Sequence, residues 1–317
     1  MMTDISLIIP FLNEEENIPT LAATLDQYFA SLKDLKCEVL FVDDGSSDAS
    51  VDLLARAPHE AYRAKVISLS RNYGSHAALR AGMLHAEGRR ITFLSADLQD
   101  PVELIEQLYV EAEKGYDIVW AMREQVDTGL FERMFSSAYG SLMRRFALSE
   151  YPQKGFDVVM FNKKVQAELN QRIEAHSSLF LQILSIGFRS SSISYHKQAR
   201  KVGKSKWTLS KKVKLLIDSF VAFSYAPIRF VSVSGIVLAL GGFSWASYIV
   251  FRHFLFRDLD PGWPALVSIL MMGFGVTNIS LGIIAEYLWR TLDSSRRREV
   301  FIVNEILQLS GDSAAAV

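Results

Sequence analysis

Two long stretches without a charged side chain constrain this chain of 317 residues more than any other feature. The first runs from Phe230 to Phe251, and the second runs from Gly262 to Ala285. At about 1.5 Å per residue, either stretch is long enough as a helix to cross a hydrocarbon core of about 30 Å. Such uninterrupted apolar runs are uncommon in globular helices. The sequence therefore predicts two transmembrane helices, at about 230–251 and 263–287, with a pair of buried core helices as the alternative.

The orientation of this predicted hairpin follows from its flanking charges. The connection 252–261 is short, so both outer ends of the hairpin face the same side of the membrane. Cytoplasmic ends of transmembrane helices are enriched in Lys and Arg. Both chain ends are therefore predicted to be cytoplasmic. The arginines that flank the two spans on that side are Arg229, Arg290, Arg296, Arg297 and Arg298.

The segment before the hairpin has the pattern of an amphipathic helix. Leu209, Val213 and Leu216 recur at helical spacing, and Lys211 and Lys212 lie towards the other face. This pattern predicts a helix that rests on an anionic membrane surface, with a core-facing helix as the alternative. The predicted organisation is a cytosolic domain at 1–208, an interfacial helix at 209–228, the two spans within 229–290 and a cytosolic tail at 291–317.

The first part of the chain alternates short apolar runs with helical patterns. This alternation predicts an α/β domain with a mostly parallel sheet, which binds ligands at the carboxyl ends of its strands. The predicted strands are Ile5–Ile9, Val39–Val42, Val66–Leu69, Ile91–Leu94 and Ile118–Trp120, and the predicted helices are Ile18–Leu32, Ala49–Ala55, Ala77–Ala86 and Val102–Lys114.

Oxygen-bearing side chains cluster directly after the predicted strands. Asp43 and Asp44 follow the second strand, and adjacent carboxylates repel each other unless a donor or a cation lies between them. Asp97 and Gln99 follow the fourth strand, and such oxygen ligands suit Mg²⁺ or Mn²⁺. Asp100 is predicted to cap the next helix, and a plain strand-to-helix turn is the alternative to a metal site there.

Composition excludes several other classes. The formal net charge of −1 provides no general basic field for nucleic acid. Cys37 is the one cysteine, so an intrachain disulfide is impossible. The chain contains neither a Walker loop nor a Gly-x-Gly-x-x-Gly motif, so a bound nucleotide would be held by carboxylates and a metal rather than by a glycine cradle.

Five motifs carry a resemblance to a known family. They are IIPFLNEE at 8–15, VDDGSSD at 42–48, RNYG at 71–74, ADLQDP at 96–101 and GKSKW at 203–207. In this order, and followed by a two-span hairpin, they resemble the family-2 glycosyltransferases of the GT-A (Rossmann-like) fold. More narrowly, the chain resembles the polyprenyl-phosphate glycosyltransferases, which include dolichyl-phosphate mannose synthase and the bactoprenol glucosyltransferases of O-antigen modification.

The resemblance implies an inverting transfer from a nucleotide sugar to a lipid phosphate, with Mg²⁺ or Mn²⁺ as cofactor. Asp97 and Gln99 would hold the metal, and Asp97 and Asp157 would be the catalytic residues. The acceptor phosphate would lie against Arg123, Arg133 and Ser137. The donor nucleotide would contact Pro10, Phe11, Asn13, Glu14, Asp43, Asp44, Ala96, Asp97, Arg200 and Lys206.

One position departs from the family pattern. Relatives usually carry Asp-Ala-Asp-Leu-Gln, but here the first of these residues is Ser95. The loss of one carboxylate predicts weaker metal binding or a changed metal preference. The attacking phosphate monoester has a second pKa near 6, so it needs little help from a base at neutral pH. Asp157 is therefore expected to orient the acceptor or the sugar, with a base role as the alternative.

The expected activity is transfer of a hexose, from UDP-glucose in the bacterial subgroup, to undecaprenyl phosphate for glycosylation of the cell envelope. The alternatives are a GDP-mannose or other UDP-sugar transferase, a processive synthase, and an inactive scaffold on a transferase fold. A Gln-x-x-Arg-Trp motif, which processive synthases carry, is absent. The expected location is the bacterial inner membrane, as a homo-oligomer with its catalytic domain in the cytoplasm.

Overall fold

The structure is a computed structural model that describes most of the chain. The described residues are 3–32, 34–123, 137, 139–145, 148, 151–152, 156–171, 173–174, 178–196, 224, 226–256, 262–296 and 299–309. The chain divides into two compact units. The first comprises Met1–Ser141, Glu150–Lys212 and Glu299–Val317, and the second comprises Leu142–Ser149 and Val213–Arg298.

The first unit is built on strands that alternate with helices. Its strands are β1 (Ile5–Phe11), β2 (Cys37–Asp43), β3 (Arg63–Leu69), β4 (Arg90–Phe93), β5 (Ile118–Arg123), β6 (Phe156–Asn162), β7 (Ser190–Tyr195) and β8 (Val303–Gln308). Its helices are α1 (Ile18–Ser31), α2 (Ser50–Arg56), α3 (Ser75–His85), α4 (Leu104–Ala112), α5 (Lys163–Gln171) and α6 (Leu179–Ser185).

The eight strands form one sheet in the order β7-β5-β6-β4-β1-β2-β3-β8. Pairing is parallel between β1 and its neighbours β2 and β4, between β2 and β3, and between β5 and β7. β6 runs antiparallel to β4 and β5, and β8 runs antiparallel to β3. The carboxyl ends of β1 to β5 and β7 therefore meet at one edge of the sheet, together with the amino ends of β6 and β8. We call this edge the ligand edge.

The core lies on both faces of the sheet, because each central strand sends alternate side chains to opposite sides. In β1, Ile5, Leu7 and Ile9 enter the cluster that packs under α1, α2 and α4. Ile8 enters the opposite cluster, which packs under α3, α5 and α6. Helix α3 approaches the sheet closely at Gly82, where a Cβ would lie 2.4 Å from Ile8 Cγ2. Glycine is required there because a side chain would collide with the sheet.

The five predicted strands and the four predicted helices are confirmed as β1 to β5 and α1 to α4. The α/β prediction with a mostly parallel sheet is therefore correct. The sequence analysis missed β6, β7 and β8. The last of these brings the chain back to the sheet unit after the long helices, where it pairs with β3.

The second unit contains two long helices that contact each other, α7 (Ala226–Phe256) and α8 (Trp263–Ser295). Among the described residues, one helix is long and apolar enough to cross a membrane. Its segment Ile228–Trp245 has a mean hydropathy of 1.5 and no buried residue. The two-span hairpin therefore stays a prediction, as do the domain boundaries. Most of the predicted interfacial helix lies outside the described residues.

Candidate functional site

The ligand edge brings together most of the described residues that the sequence singled out. Phe11 at the end of β1 is in register with Asp43 at the end of β2. Arg123 ends β5 in register with Tyr195, the last residue of β7. Residue 157 follows the first residue of β6, whose amino end is at this same edge. The sheet topology thus collects residues that are far apart in the sequence.

The two adjacent aspartates after β2 are both buried, and each has its own backbone donors. Asp44 Oδ1 accepts hydrogen bonds from the N–H groups of Tyr73 at 2.7 Å and Gly74 at 3.2 Å, and its Oδ2 lies 2.9 Å from Gly74 N. Asp43 Oδ1 accepts the Ser46 N–H at 2.8 Å. Burial raises the pKa of Asp44, and the charge of Asp43 adds to the rise, while the Tyr73 and Gly74 amides oppose it. The donors that these carboxylates need are therefore supplied within the protein.

A close backbone contact keeps the two loops together. Gly45 has a φ of +79°, and a Cβ on it would lie 2.6 Å from the carbonyl carbon of Arg71. Only glycine combines this left-handed conformation with so close an approach. The Arg71 guanidinium stacks over the Tyr73 ring, 4.2 Å from its centroid. On the other side, Ser70 N donates to the carbonyl of Ile302, just before β8.

The loop after β1 is tied to the loop after β2 by reciprocal hydrogen bonds. Asn13 N donates to Ser46 Oγ at 2.9 Å, and Ser47 N donates to Asn13 Oδ1 at 2.8 Å. Glu14 N donates to Ser50 Oγ at 2.9 Å. Asn13 has a φ of +52°, which asparagine tolerates better than most residues. Asn13 and Glu14, which are predicted to contact a nucleotide, thus also hold these two loops together.

Pro10 fits in β1 because of where the neighbouring strand ends. The pairing of β1 with β4 stops at Ile8 and Phe93, so Pro10 lies beyond the last pair on that side. A residue without an N–H group is tolerated there. Pro10 is half-buried at the ligand edge, whereas Ala96 is buried in the core.

The segment after β4 forms a tight turn in which polar groups are hydrogen-bonded to one another. Ser95 Oγ donates to Asp97 Oδ1 at 2.5 Å, and Gln99 N donates to the same oxygen at 3.3 Å. Leu98, between the two predicted metal ligands, has a φ of +52°. A non-glycine residue in this conformation is uncommon and costs of order 1–3 kcal/mol, and such residues cluster at functional sites.

Asp100 does not cap the next helix, so that prediction is wrong. Helix α4 begins at Leu104 with Glu103 at its N-cap position. Asp100 is 4% exposed and accepts a hydrogen bond from the Tyr195 hydroxyl at 2.7 Å. Its other oxygen lies 3.5 Å from Ser95 Oγ. Sequence reasoning missed Tyr195, because only the parallel pairing of β7 with β5 brings it to this turn.

The two predicted metal ligands at this turn, Asp97 and Gln99, supply one carboxylate and one side-chain amide. No group of three His, Cys, Asp or Glu side chains suited to a metal occurs in the described part of the chain. Mg²⁺ is commonly held by one or two carboxylates, with substrate phosphates and water completing the shell. These half-exposed oxygen ligands therefore fit a hard divalent ion shared with a diphosphate.

Several predicted residues have no described side chain. Arg133, Arg200 and Lys206 lie outside the described residues, and the side chain of Asp157 is not described. Ser137 is exposed. Outside this turn, His76 Nδ1 accepts the Leu179 N–H at 3.4 Å, and burial together with the charge of Arg80 lowers the pKa of His76 to about 4.

Comparison with known proteins identifies the family. The sequence pattern described as glycosyl transferase family 2 matches residues 6–177. The undecaprenyl-phosphate 4-deoxy-4-formamido-L-arabinose transferase of Salmonella choleraesuis is 31% identical over 313 residues, which cover 96% of this chain and 93% of that protein. The uncharacterized glycosyltransferase YkcC of Bacillus subtilis is 29% identical over 301 residues, covering 95% and 93%.

Among solved structures, the mannosyltransferase PcManGT from Pyrobaculum calidifontis, in complex with GDP-Man and Mn²⁺, has a TM-score of 0.49 at 14% identity, covering 91% of this chain and 88% of that one. At this TM-score the likeness does not bear on ligands. The family match and the Salmonella relative are sufficient by themselves: the chain belongs to glycosyl transferase family 2.

Proposed function

We propose that this chain transfers a sugar from a nucleotide sugar to polyprenyl phosphate at a membrane. The observation that carries the proposal is the similarity to the undecaprenyl-phosphate transferase of Salmonella, which extends over 96% of the chain and so includes both long helices. A likeness confined to the sheet unit would support only a generic glycosyltransferase.

The donor nucleoside is proposed to bind between the loops after β1 and β2. Pro10, Phe11, Asn13, Glu14, Asp43 and Asp44 lie on these two strand ends and loops, with Ala96 at the neighbouring end of β4. A carboxylate has about four acceptor sites, so Asp44 can hold the Tyr73 and Gly74 amides and still accept a ribose hydroxyl or a base N–H. Arg200 and Lys206 are proposed to contact the donor diphosphate, since cationic side chains suit phosphate oxygens.

Asp97 and Gln99 are proposed to hold the divalent metal, Mg²⁺ or Mn²⁺. A metal bound there would offset the charge that develops on the departing nucleoside diphosphate. The Ser95 hydroxyl and the Gln99 N–H orient the Asp97 carboxylate through its Oδ1. Because Ser95 replaces a carboxylate of the family pattern, the site has less negative charge than its relatives and is proposed to bind metal more weakly.

The acceptor phosphate is proposed to lie against Arg123, Arg133 and Ser137. Guanidinium groups bind phosphate oxygens in pairs, and Arg123 lies at the ligand edge, as the last residue of β5. The acceptor oxygen attacks the anomeric carbon on the face opposite the leaving diphosphate, so the configuration inverts. Asp157 is proposed to align the reactants for this in-line attack, since a dianionic phosphate is already nucleophilic at neutral pH.

The membrane anchor is proposed to be a hairpin of α7 and α8 in the bacterial inner membrane, with the sheet unit in the cytoplasm. Both helices expose large apolar side chains, among them Phe243 at 75% and Phe274 at 64%. A continuous apolar surface of this kind is costly in water and is covered by lipid or protein. Assembly into a homo-oligomer and a role in cell-envelope glycosylation belong to the same proposal.

In the experiment, purified full-length protein in detergent is mixed with undecaprenyl phosphate and supplied with a panel of nucleotide sugars. The panel contains UDP-glucose, other UDP-hexoses, GDP-mannose and a UDP-pentose, and lipid-linked product is scored with each. UDP-glucose is the proposed donor. Asp97→Asn should abolish product formation, whereas Asp34→Asn, on the exposed turn before β2, should not. Transfer with none of the donors by the wild type would overturn the proposal in favour of an inactive scaffold.

A further inference from the structure

The carboxyl-terminal strand β8 is hydrogen-bonded to the turn that follows β3. The pairing of the two strands ends with Leu69 and Val303. Beyond this pair, Ser70 N donates to the carbonyl oxygen of Ile302 at 3.0 Å. Because β8 runs antiparallel to β3, this bond lies at the ligand edge, directly before the motif RNYG at 71–74. The strand therefore contacts the turn itself as well as the neighbouring strand.

The same turn holds the carboxylate of Asp44, a proposed contact of the donor nucleotide. The N–H groups of Tyr73 and Gly74 donate to Asp44 at 2.7 Å and 2.9 Å. The backbone at Arg71 approaches Gly45 so closely that a Cβ on the glycine would collide with it. A shift of the turn would therefore move the donors of Asp44. The orientation of this carboxylate depends on whatever holds the turn in place.

Side-chain packing fixes the end of β8 that meets this turn. Phe301 and Val303 are half-buried and pack against the core cluster under α3, α5 and α6, and Tyr73 of the turn packs against the same cluster. The rest of the strand, Asn304–Gln308, is exposed. Leu309, just beyond the far end of the strand, is half-buried and packs against the opposite cluster. Each end of β8 is thus held by its own apolar contact.

We propose that β8 is a positioning element for the donor nucleotide, fixed by the packing of Phe301 and joined to the turn after β3 through Ser70. By holding this turn, it keeps the Tyr73 and Gly74 amides where they orient Asp44. The inference rests on the proposed function, in which Asp44 contacts the donor. It adds that the last strand of the chain contributes to nucleotide affinity without touching the nucleotide.

Binding of the nucleotide and docking of β8 then favour each other. A nucleotide that requires the ordered turn binds only those molecules in which β8 is docked, so undocking reduces the apparent affinity. By the same linkage, bound nucleotide stabilises the docked strand. The strand lies outside residues 6–177, which match the family pattern, so that pattern does not contain this contribution.

The test measures UDP affinity and local amide exchange rather than turnover, with UDP as the probe because UDP-glucose is the proposed donor. Full-length wild type, Phe301→Ala and Leu309→Ala are titrated with UDP by calorimetry in the presence of Mn²⁺. In Phe301→Ala the dissociation constant for UDP should rise about 10-fold, because a smaller fraction of molecules has the turn in place. Hydrogen exchange of the Ser70, Tyr73 and Gly74 amides should become faster in this variant.

Leu309→Ala is the matched control. Leu309 is half-buried like Phe301 and flanks the same strand, but its N–H donates to the carbonyl of Ala64 at 2.9 Å, away from the ligand edge. This variant should lower the melting temperature like Phe301→Ala and change the dissociation constant for UDP by less than about 2-fold. Equal losses of UDP affinity in the two variants would show a general loosening of the sheet and would overturn the inference.

A second pair of variants changes the hydrogen bond itself. Ser70→Pro removes the N–H that donates to Ile302, and proline is compatible with the extended conformation of Leu69 before it. Ser70→Ala keeps this N–H and removes only the hydroxyl, which lies 3.0 Å from the Tyr73 hydroxyl. Ser70→Pro should therefore bind UDP more weakly than Ser70→Ala does, and equal affinities would overturn the inference.

The wild type provides a further measurement that needs no substitution. UDP should slow hydrogen exchange of the Ser70 amide and of the amides at the start of β8. Exchange that does not respond to bound UDP, or an unchanged UDP affinity in Phe301→Ala, would overturn the inference. Both results leave the proposed function intact if the wild type forms lipid-linked sugar. A wild type that transfers no sugar would instead overturn the proposed function.

Discussion

The carboxylate of Asp44 holds the backbone N–H of Tyr73 at 2.7 Å, and this bond joins the loop after β2 to the turn that starts α3. The sequence analysis expected a donor or a cation between the carboxylates of Asp43 and Asp44, and a donor nucleotide in contact with both. The structure shows that backbone amides of the protein already stabilise both side chains. One wall of the proposed nucleotide pocket is therefore held together by hydrogen bonds within the protein.

Asp44→Asn should weaken this wall and the binding of nucleotide together. The amide would turn an NH₂ group towards the Tyr73 or Gly74 N–H, which removes at least one hydrogen bond to a charged acceptor. We expect a loss of about 1–3 kcal/mol in the free energy of unfolding and weaker binding of UDP or GDP by calorimetry. Asp34→Asn, on an exposed turn, should change neither quantity. Wild-type stability in Asp44→Asn would contradict the structural role of this carboxylate.

Gly45→Ala should destabilise the protein by more than its backbone conformation alone requires. The added Cβ would lie 2.6 Å from the Arg71 carbonyl carbon. The matched control is Gly187→Ala, because Gly187 has a similar φ of +76° but no atom within 4 Å of the added Cβ. We expect about 1 kcal/mol for Gly187→Ala and a clearly larger loss for Gly45→Ala, read from thermal unfolding. Equal losses of stability in the two variants would show that the loop at Arg71 moves away from the added Cβ without a cost in free energy.

Ser95→Asp tests the departure from the family pattern. Without metal, a new carboxylate beside Asp97 and Asp100 should lower the melting temperature, because three negative charges would share one turn. With Mn²⁺, the same substitution should increase metal affinity and restore the melting temperature. The measurement is a metal titration of both activity and thermal stability against the wild type. Unchanged metal affinity would refute the view that Ser95 weakens the site.

Asp157→Asn distinguishes alignment from proton abstraction. If Asp157 aligns the acceptor or the sugar, the variant should lose about 100-fold in turnover at every pH from 6 to 9, since misplacement of reactants by about 1 Å has such an effect. If Asp157 is a base, activity should recover as the pH rises well above the second pKa of the acceptor phosphate. The pH profile of transfer by the variant decides between the two roles.

Protonation of His76 should make the stability of the sheet unit depend on pH. Its pKa in the folded protein is about 4, against about 6.5 in the unfolded chain. Between pH 4 and pH 6.5 the unfolded chain therefore binds more protons at this residue than the folded protein does. The contribution of neutral His76 to the free energy of unfolding is complete above pH 6.5 and is lost as the pH decreases towards 4. The loss attributable to His76 is about 3 kcal/mol. The free energy of unfolding, measured as a function of pH, should decline less in His76→Gln than in the wild type. Parallel curves for the two proteins would refute the assignment of this pH dependence to His76.

The local sequence was sufficient to predict those elements whose own hydrophobic pattern indicates their type. The apolar runs around Leu7, Leu40 and Phe93 predicted strands because they are buried on both faces of the sheet, and such strands are continuously apolar. The carboxylates at 43, 44 and 97 were predicted to be site residues because each lies at or just after the end of a strand. The alternation of strands with helices then placed these residues at a common edge.

Other features depend on pairing between distant segments, which local patterns do not encode. β8 alternates weakly and is largely exposed, so only its antiparallel pairing with β3 marks it as a strand. Tyr195 became part of the site because β7 lies parallel to β5, and Asp100 turned from a predicted helix cap into its acceptor. The sequence by itself determined which side chains lie at the ends of the first strands. The tertiary structure decided which distant residues join them, because the hydrogen bond between Tyr195 and Asp100 requires segments far apart in the sequence to meet.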